Sequence, residues 1–171
     1  MNWKVLGAGV VVTVPLLAIL ASGFGLNPRV ESNALEGQAA PNFELETLEG
    51  DRVALSELRG KPVVINFWAT WCQPCLIEHQ ALIRSAQRFA PAGVTFLGVL
   101  YNDEPAEAVR YLKKKGAAYP TLIDVNGRTA IDYGVAGVPE TFFINAEGTI
   151  AYKATGPVND EMVSSILRGM P

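Results

Sequence analysis

Six consecutive residues, Val63-Val64-Ile65-Asn66-Phe67-Trp68, give a strand almost no polar face to turn toward water. An alternating strand can lie on a surface, but a continuous β-branched and aromatic run has to be covered on both faces. The chain must therefore build a sheet with layers packed above and below this strand. Directly after it comes Ala69-Thr70-Trp71-Cys72-Gln73-Pro74-Cys75. From Leu76 to Phe89 apolar residues then recur at helical spacing, at 76, 77, 82, 83, 86 and 89, until Pro91 and Gly93 stop them. A buried strand running into a Cys-x-x-Cys that opens a helix is the constraint to which the rest of the chain answers.

The flanking segments supply the other layers. Phe43–Thr47 and Arg52–Leu55 read as a hairpin about Glu49-Gly50. After the Cys-x-x-Cys helix come a strand over Val94–Tyr101, a helix over Glu104–Gly116, a short strand over Thr121–Val125 and a short helix over Arg128–Tyr133. A second hairpin, Thr141–Asn145 with Thr149–Ala154, and a final helix over Asn159–Arg168 close the chain. Asn159 or Asp160 suits the cap of that helix. Strands alternating with helices imply parallel pairing in the middle, and the last hairpin supplies an antiparallel edge. The predicted fold class is α/β, a mixed sheet flanked by helices, with an N-terminal hairpin. No internal repeat is evident. Lys113-Lys114-Lys115 complements the negative end of its helix dipole and reads as a solvated helix terminus.

Composition sets the surroundings of this domain. With 171 residues, 49% apolar and 18% charged, the chain is one ordinary domain with a small appendage and is not a disordered segment. Residues 5–26 carry no charge and raise the apolar share. Over residues 32–171, Lys4 and Arg29 leave the 14 basic residues and Glu31 leaves the 17 acidic ones, so 12 and 16 remain, net −4. That balance offers no basic footprint for nucleic acid. Val5–Leu26, 22 residues and about 33 Å as a helix, is long enough to cross a hydrocarbon core of about 30 Å. Lys4 lies before it, which orients the N-terminus to the cytoplasm and the rest outside. The alternative is a cleaved signal peptide, for which Ala21-Ser22-Gly23 is a poor cleavage site and Ser32-Asn33-Ala34 lies well past the apolar run. The reading is residues 1–26 as a membrane anchor, 27–40 as a linker and 41–171 as the folded domain.

Cys72 and Cys75 are the two cysteines of the chain. A loop this short restrains little of the unfolded chain, so the pair is not a structural staple. A closed zinc site wants four ligands, and one pair with the single His79 does not supply them; no metal and no cofactor beyond a redox-active Cys72–Cys75 disulfide are expected. At the mouth of a helix, Cys72 meets unpaired N–H groups and the positive dipole end, which stabilise the thiolate that attacks disulfides. Cys75, one turn on and less exposed, is placed to resolve a mixed disulfide. Pro74 is tolerated in a first turn, and Trp71 would shield one side of the pair. Far along the chain, Pro139 in Gly134-Val135-Ala136-Gly137-Val138-Pro139-Glu140-Thr141 precedes a strand and is a candidate cis proline, an ordinary turn proline being the alternative. A cis bond there would expose the backbone of Val138 to an extended substrate.

Asn66-Phe67-Trp68-Ala69-Thr70-Trp71-Cys72-Gln73-Pro74-Cys75 resembles the active-site segment of a thioredoxin-like protein. More narrowly, Cys75-Leu76-Ile77-Glu78-His79-Gln80, Leu100-Tyr101-Asn102-Asp103 and Gly134-Val135-Ala136-Gly137-Val138-Pro139-Glu140-Thr141-Phe142 are similar to the CcmG/DsbE family of membrane-anchored thiol:disulfide interchange proteins of cytochrome c biogenesis, close to the ResA/TlpA group. The resemblance covers about residues 38–168. It implies a thioredoxin-like fold with a central insert, placed here around residues 94–125, and one N-terminal transmembrane helix. It implies Cys72 as nucleophile, Cys75 as resolving thiol and Pro139 as the cis proline. Glu78 matches an acidic position near the family's site, where a carboxylate could take or relay the proton of Cys75; the alternative is a solvated helix face. Glu140 could shape substrate choice, or be a strand-edge charge, and His79 reads as a surface or packing residue. Ordinary thioredoxins often carry a buried Asp where this chain has Asn66, and an amide cannot relay a proton, so proton handling falls to Glu78 or water.

The expected activity is thiol:disulfide exchange on the periplasmic side of the cytoplasmic membrane. The resemblance implies reduction of apocytochrome c or of a thiol protein of its maturation, and re-reduction by a CcdA/DsbD-type membrane reductant. Three alternatives stand beside it: a ResA/TlpA-like reductase with another client, a thiol peroxidase, and a non-enzymatic tethered binding module. Against the peroxidase, residues 65–72 lack the proline of a Pro-x-x-x-Thr-x-x-Cys pattern.

Overall fold

The computed structural model of the protein describes residues 35–170, together with Trp3 and residues 13–15. The apolar stretch Val5–Leu26, read as a membrane helix, therefore lies outside the described residues except at 13–15, and among the described residues no helix is long and apolar enough to cross a membrane.

Strands β1 (Glu44–Thr47), β2 (Arg52–Ala54), β3 (Val63–Trp68), β4 (Thr95–Leu100), β5 (Thr121–Ile123), β6 (Glu140–Ile144) and β7 (Ile150–Thr155) form one sheet in the order β2-β1-β5-β4-β3-β6-β7. β3 pairs parallel with β4, and β4 with β5, while the remaining neighbours are antiparallel. Helices α1 (Gln73–Phe89), α2 (Pro105–Lys115), α3 (Arg128–Asp132) and α4 (Asp160–Gly169) cover it.

The double coverage demanded by β3 is met, since all six of its residues are buried. Successive side chains point to opposite faces. Val63, Ile65 and Phe67 join Leu97, Val99, Leu122, Phe142 and Ile144 under α3, whose Ala130 and neighbouring Tyr133 close that layer. Val64 faces the other way, with Phe96 and Phe143, against Leu82 and Ala86 of α1 and Val163 of α4. Trp68 lies at the end of that second face, with Leu100, both cysteines and Ala108 of α2.

β4 pairs with β3 along all six of its residues and is part of the central sheet. One boundary differs from the sequence reading. Residues 35–40, read as linker, are docked instead. Gly37 N–H donates to Ile150 O (2.8 Å), Ile150 N–H to Gln38 O (2.9 Å) and Ala40 N–H to Gly148 O (2.9 Å), and the Glu36 carboxylate accepts from Lys153 N–H. β7 is an edge strand, and this segment occupies backbone groups that would otherwise stay unpaired.

Candidate active site

The helix that carries the cysteines starts three residues before the periodicity predicts. Cys72 is its N-cap, with extended backbone (φ −89°, ψ 102°), and Pro74 lies in the first turn. A cap residue normally offers an oxygen to the N–H groups of the first turn. Here the Cys72 sulfur takes that role, accepting from Cys75 N–H at 3.2 Å. The same geometry joins the two sulfurs in a disulfide of 2.06 Å, with Cα atoms 5.3 Å apart.

The sequence predicts Cys72 as the more exposed of the two. Both are buried, 4% and 3% exposed, because Trp68, Leu100 and Ala108 pack around them and Val138 covers them from the side. Trp71 is 56% exposed, and its indole N–H donates to Asn102 O at 3.0 Å. Beside it, Thr70 N–H donates to the Asp103 carboxylate at 2.6 Å, while the other Asp103 oxygen accepts from Glu104 N–H at 2.8 Å. Asn102 reaches this arrangement through a left-handed backbone (φ 45°). The segment Leu100-Tyr101-Asn102-Asp103, noted in the sequence without a role, thus braces the loop that leads into Cys72.

The late proline arrives where the sequence placed it. The Val138–Pro139 bond is cis, and Val138 O lies 3.4 Å from Cys72 Sγ. A sulfur within a disulfide has no proton to donate, so this is a polar contact in the oxidised protein. Once reduced, a Cys72 thiol at this position can donate to that carbonyl.

Glu78, three residues past Cys75 on α1, is 2% exposed and so is not on a solvated helix face. Its carboxylate accepts from Asn66 Nδ2 (2.8 Å) and from Val158 N–H (2.8 Å). Burial pushes its pKa from 4.5 up to about 7, against the lowering effect of those two donors. Asn66 does not relay a proton; it orients the group that can, while donating also to Thr141 Oγ1 at 3.0 Å. Asn66, Cys75, His79, Tyr119 and Thr121 help to line a cavity of about 10 Å³, at the lower limit for one water.

Glu140 requires correction. Read as a residue that meets substrate or as a strand-edge charge, it is 2% exposed and paired with Lys153 at 2.9 Å. It follows Pro139 on a strand whose even positions, Glu140, Phe142 and Ile144, point into the layer away from α1. His79 is a packing residue, as read. It is 7% exposed, packs against Trp68 and Tyr111 and donates from Nε2 to Gly116 O at 2.9 Å. Burial holds its pKa below the ordinary value. Among the described residues no group of His, Cys, Asp and Glu could hold a metal ion.

The AhpC/TSA family model matches residues 36–153. The thiol:disulfide interchange protein DsbE of Yersinia pestis is 37% identical over 151 residues, covering 86% of this chain and 78% of that protein. The thiol-disulfide oxidoreductase ResA of Bacillus subtilis is 33% identical over 151 residues, covering 86% of this chain and 84% of that protein. The chain belongs to the AhpC/TSA family, among its DsbE-type thiol:disulfide interchange proteins. The crystal structure of a thioredoxin-family thiol:disulfide interchange protein from Chlorobium tepidum superposes with a TM-score of 0.69 at 30% identity, over 76% of this chain and 93% of that one. The thioredoxin-like α/β fold and thiol:disulfide oxidoreductase chemistry follow for this DsbE-type protein. Its Cys72–Cys75 pair is the redox centre that such chemistry requires. Asp103 and Lys153 were not singled out by sequence reasoning; the signal for Asp103 was its place in a quoted motif, and Lys153 gave none.

Proposed function

We propose that the protein is an exported, membrane-tethered reductant of disulfides. In the reduced protein, the Cys72 thiolate attacks one sulfur of a client disulfide, forming a mixed disulfide and expelling the other client sulfur as a thiolate. Cys75, giving its proton to Glu78 directly or through water, then attacks the Cys72 sulfur and releases the second client thiolate. Two electrons pass to the client, and the Cys72–Cys75 disulfide is left, as in the oxidised state described here. The helix N-terminus stabilises the Cys72 thiolate, and the single observation that carries the reading is the Val138 carbonyl 3.4 Å from that sulfur. It marks where an extended client backbone would pair beside the cysteine.

The proposed client is apocytochrome c or a thiol protein of its maturation, as the resemblance of residues 75–80, 100–103 and 134–142 to the CcmG/DsbE family implies. A thiol transporter of the CcdA/DsbD type would restore the dithiol. Val5–Leu26 would span the cytoplasmic membrane with the N-terminus inside and the catalytic domain on the periplasmic face.

The test is a trap. Cys75→Ser in the full-length, exported chain removes the resolving thiol, so Cys72 should accumulate as a mixed disulfide with its client, which mass spectrometry names. A c-type apocytochrome or a maturation protein supports the reading, another client keeps the chemistry and changes the pathway, and no adduct on Cys72 refutes the nucleophile.

A further inference from the structure

Lys153 is the buried cation of the domain's interior, its side chain 4% exposed. Ammonium groups are almost never fully buried unless paired. It sits on β7 opposite Phe142, and its Nζ meets three groups: the Glu140 carboxylate at 2.9 Å, Gly134 O at 3.1 Å and the Phe142 ring, 5.0 Å to its centroid.

Two of these contacts bear on the loop that leads to the cis proline. Gly134 O is the loop's start. Glu140 is its end, and the other oxygen of Glu140 reaches back to accept Ala136 N–H at 3.3 Å. Gly156 N–H, just past the end of β7, holds Pro139 O at 2.9 Å. The loop is therefore tied at its start, middle and end, while the Val138 carbonyl remains directed at Cys72 Sγ. Burying an ion pair is a poor way to gain stability, because apolar residues of similar volume often serve as well or better. A pair whose spare bonds all go to one loop gives geometry instead.

We propose that Lys153 is a positioning residue for disulfide exchange: with Glu140 it clamps residues 134–139 so that the Val138 backbone stands beside Cys72. This rests on the reading that a client pairs with that backbone, and the test separates the two.

Lys153→Met alone strands a buried carboxylate and is expected to unfold easily, so the working variant is Lys153→Met with Glu140→Met, which removes both charges. The reduced proteins are reacted with a peptide carrying an internal Cys-x-x-Cys disulfide and with dithiobis-nitrobenzoate, a small disulfide that has no backbone to pair. With the parent's unfolding midpoint kept, the peptide rate should fall about tenfold or more, since misplacement by about 1 Å can cost about a hundredfold. The small-disulfide rate should stay within about twofold. Equal losses on both probes, or no loss on either, would overturn the proposal. Amide hydrogen exchange in the unmodified protein serves even if the variant does not fold: Ala136 N–H should be protected well above its neighbour Gly137, and exchange as free as in an unstructured peptide would overturn the clamp. A peptide N-methylated at the pairing residue, reacting with the parent as fast as the plain peptide, would reject backbone pairing while leaving the Ala136 result to judge the Glu140–Lys153 clamp.

Discussion

Replacing Glu78 by Gln should change how the protein's stability depends on pH, in a direction and amount that the buried carboxyl fixes. In the folded protein burial raises its pKa from 4.5 to about 7. Below pH 4.5 both folded and unfolded chains hold the proton, and the contribution to stability is complete. Between 4.5 and 7 the unfolded chain gives up the proton and the folded one keeps it, so the contribution falls as pH rises. Above about 7 both are ionised, and the buried charge is carried at full cost. The span of about 2.5 pH units corresponds to about 3 kcal/mol, at about 1.4 kcal/mol per unit. Glutamine cannot ionise. It also has one acceptor oxygen where Asn66 Nδ2 and Val158 N–H both donate, so one buried donor loses its partner at every pH, a steady cost of about 1–3 kcal/mol.

Urea unfolding of the oxidised parent and the Glu78→Gln protein, from pH 4.5 to 8, reads the difference. The variant should be the weaker protein at pH 4.5 and should gain on the parent by about 3 kcal/mol by pH 8. His79, whose lowered pKa makes stability rise with pH, acts in both proteins and cancels in the difference. A gap that is the same at pH 4.5 and pH 8 would refute the reasoning, because Glu78 would then titrate as an ordinary surface carboxylate.

Asp103→Ala should cost about 1–3 kcal/mol in urea unfolding, since Thr70 N–H and Glu104 N–H both lose their acceptor, and it should slow insulin reduction by loosening the approach to Cys72; Asp103→Asn, which keeps one acceptor oxygen, should lose less on both measures. Gly98→Ala should also destabilise, by about 1–3 kcal/mol. A Cβ there would meet Trp68 Nε1 at 2.9 Å and Thr121 Oγ1 at 3.0 Å, and a shift in Trp68 fluorescence should accompany the loss.

What the sequence made legible was whatever depends on local pattern. The unbroken apolar run of β3 required two covering layers, and all six of its residues are buried. The Cys-x-x-Cys junction and the proline before β6 were readable because cysteine and proline carry their chemistry wherever the chain puts them. The start of α1 was not, because Gln73 and Pro74 add nothing to an apolar period while a sulfur cap and a first-turn proline suffice to begin a helix. Residues 35–40 looked like tether because backbone pairing to a sheet edge leaves no trace in side-chain pattern. The roles of Lys153 and Glu140 were hidden for a related reason. A charge at alternate positions of a strand reads as solvent-facing, and only the register Phe142↔Lys153 brings the two together inside the domain. The equal burial of the two sulfurs depended on Ala108 in α2, thirty-odd residues away, which no local reading places over them.

The central claim is that the helix-cap sulfur is the attacking one. Reduced protein labelled with iodoacetamide across a pH series, with the modified cysteine identified by mass spectrometry, tests it most directly. Cys72 should be labelled first, with an apparent pKa below the 8.5 or so of a free thiol. Labelling of Cys75 ahead of Cys72, or a Cys72 that titrates at or above the free-thiol value, would contradict it.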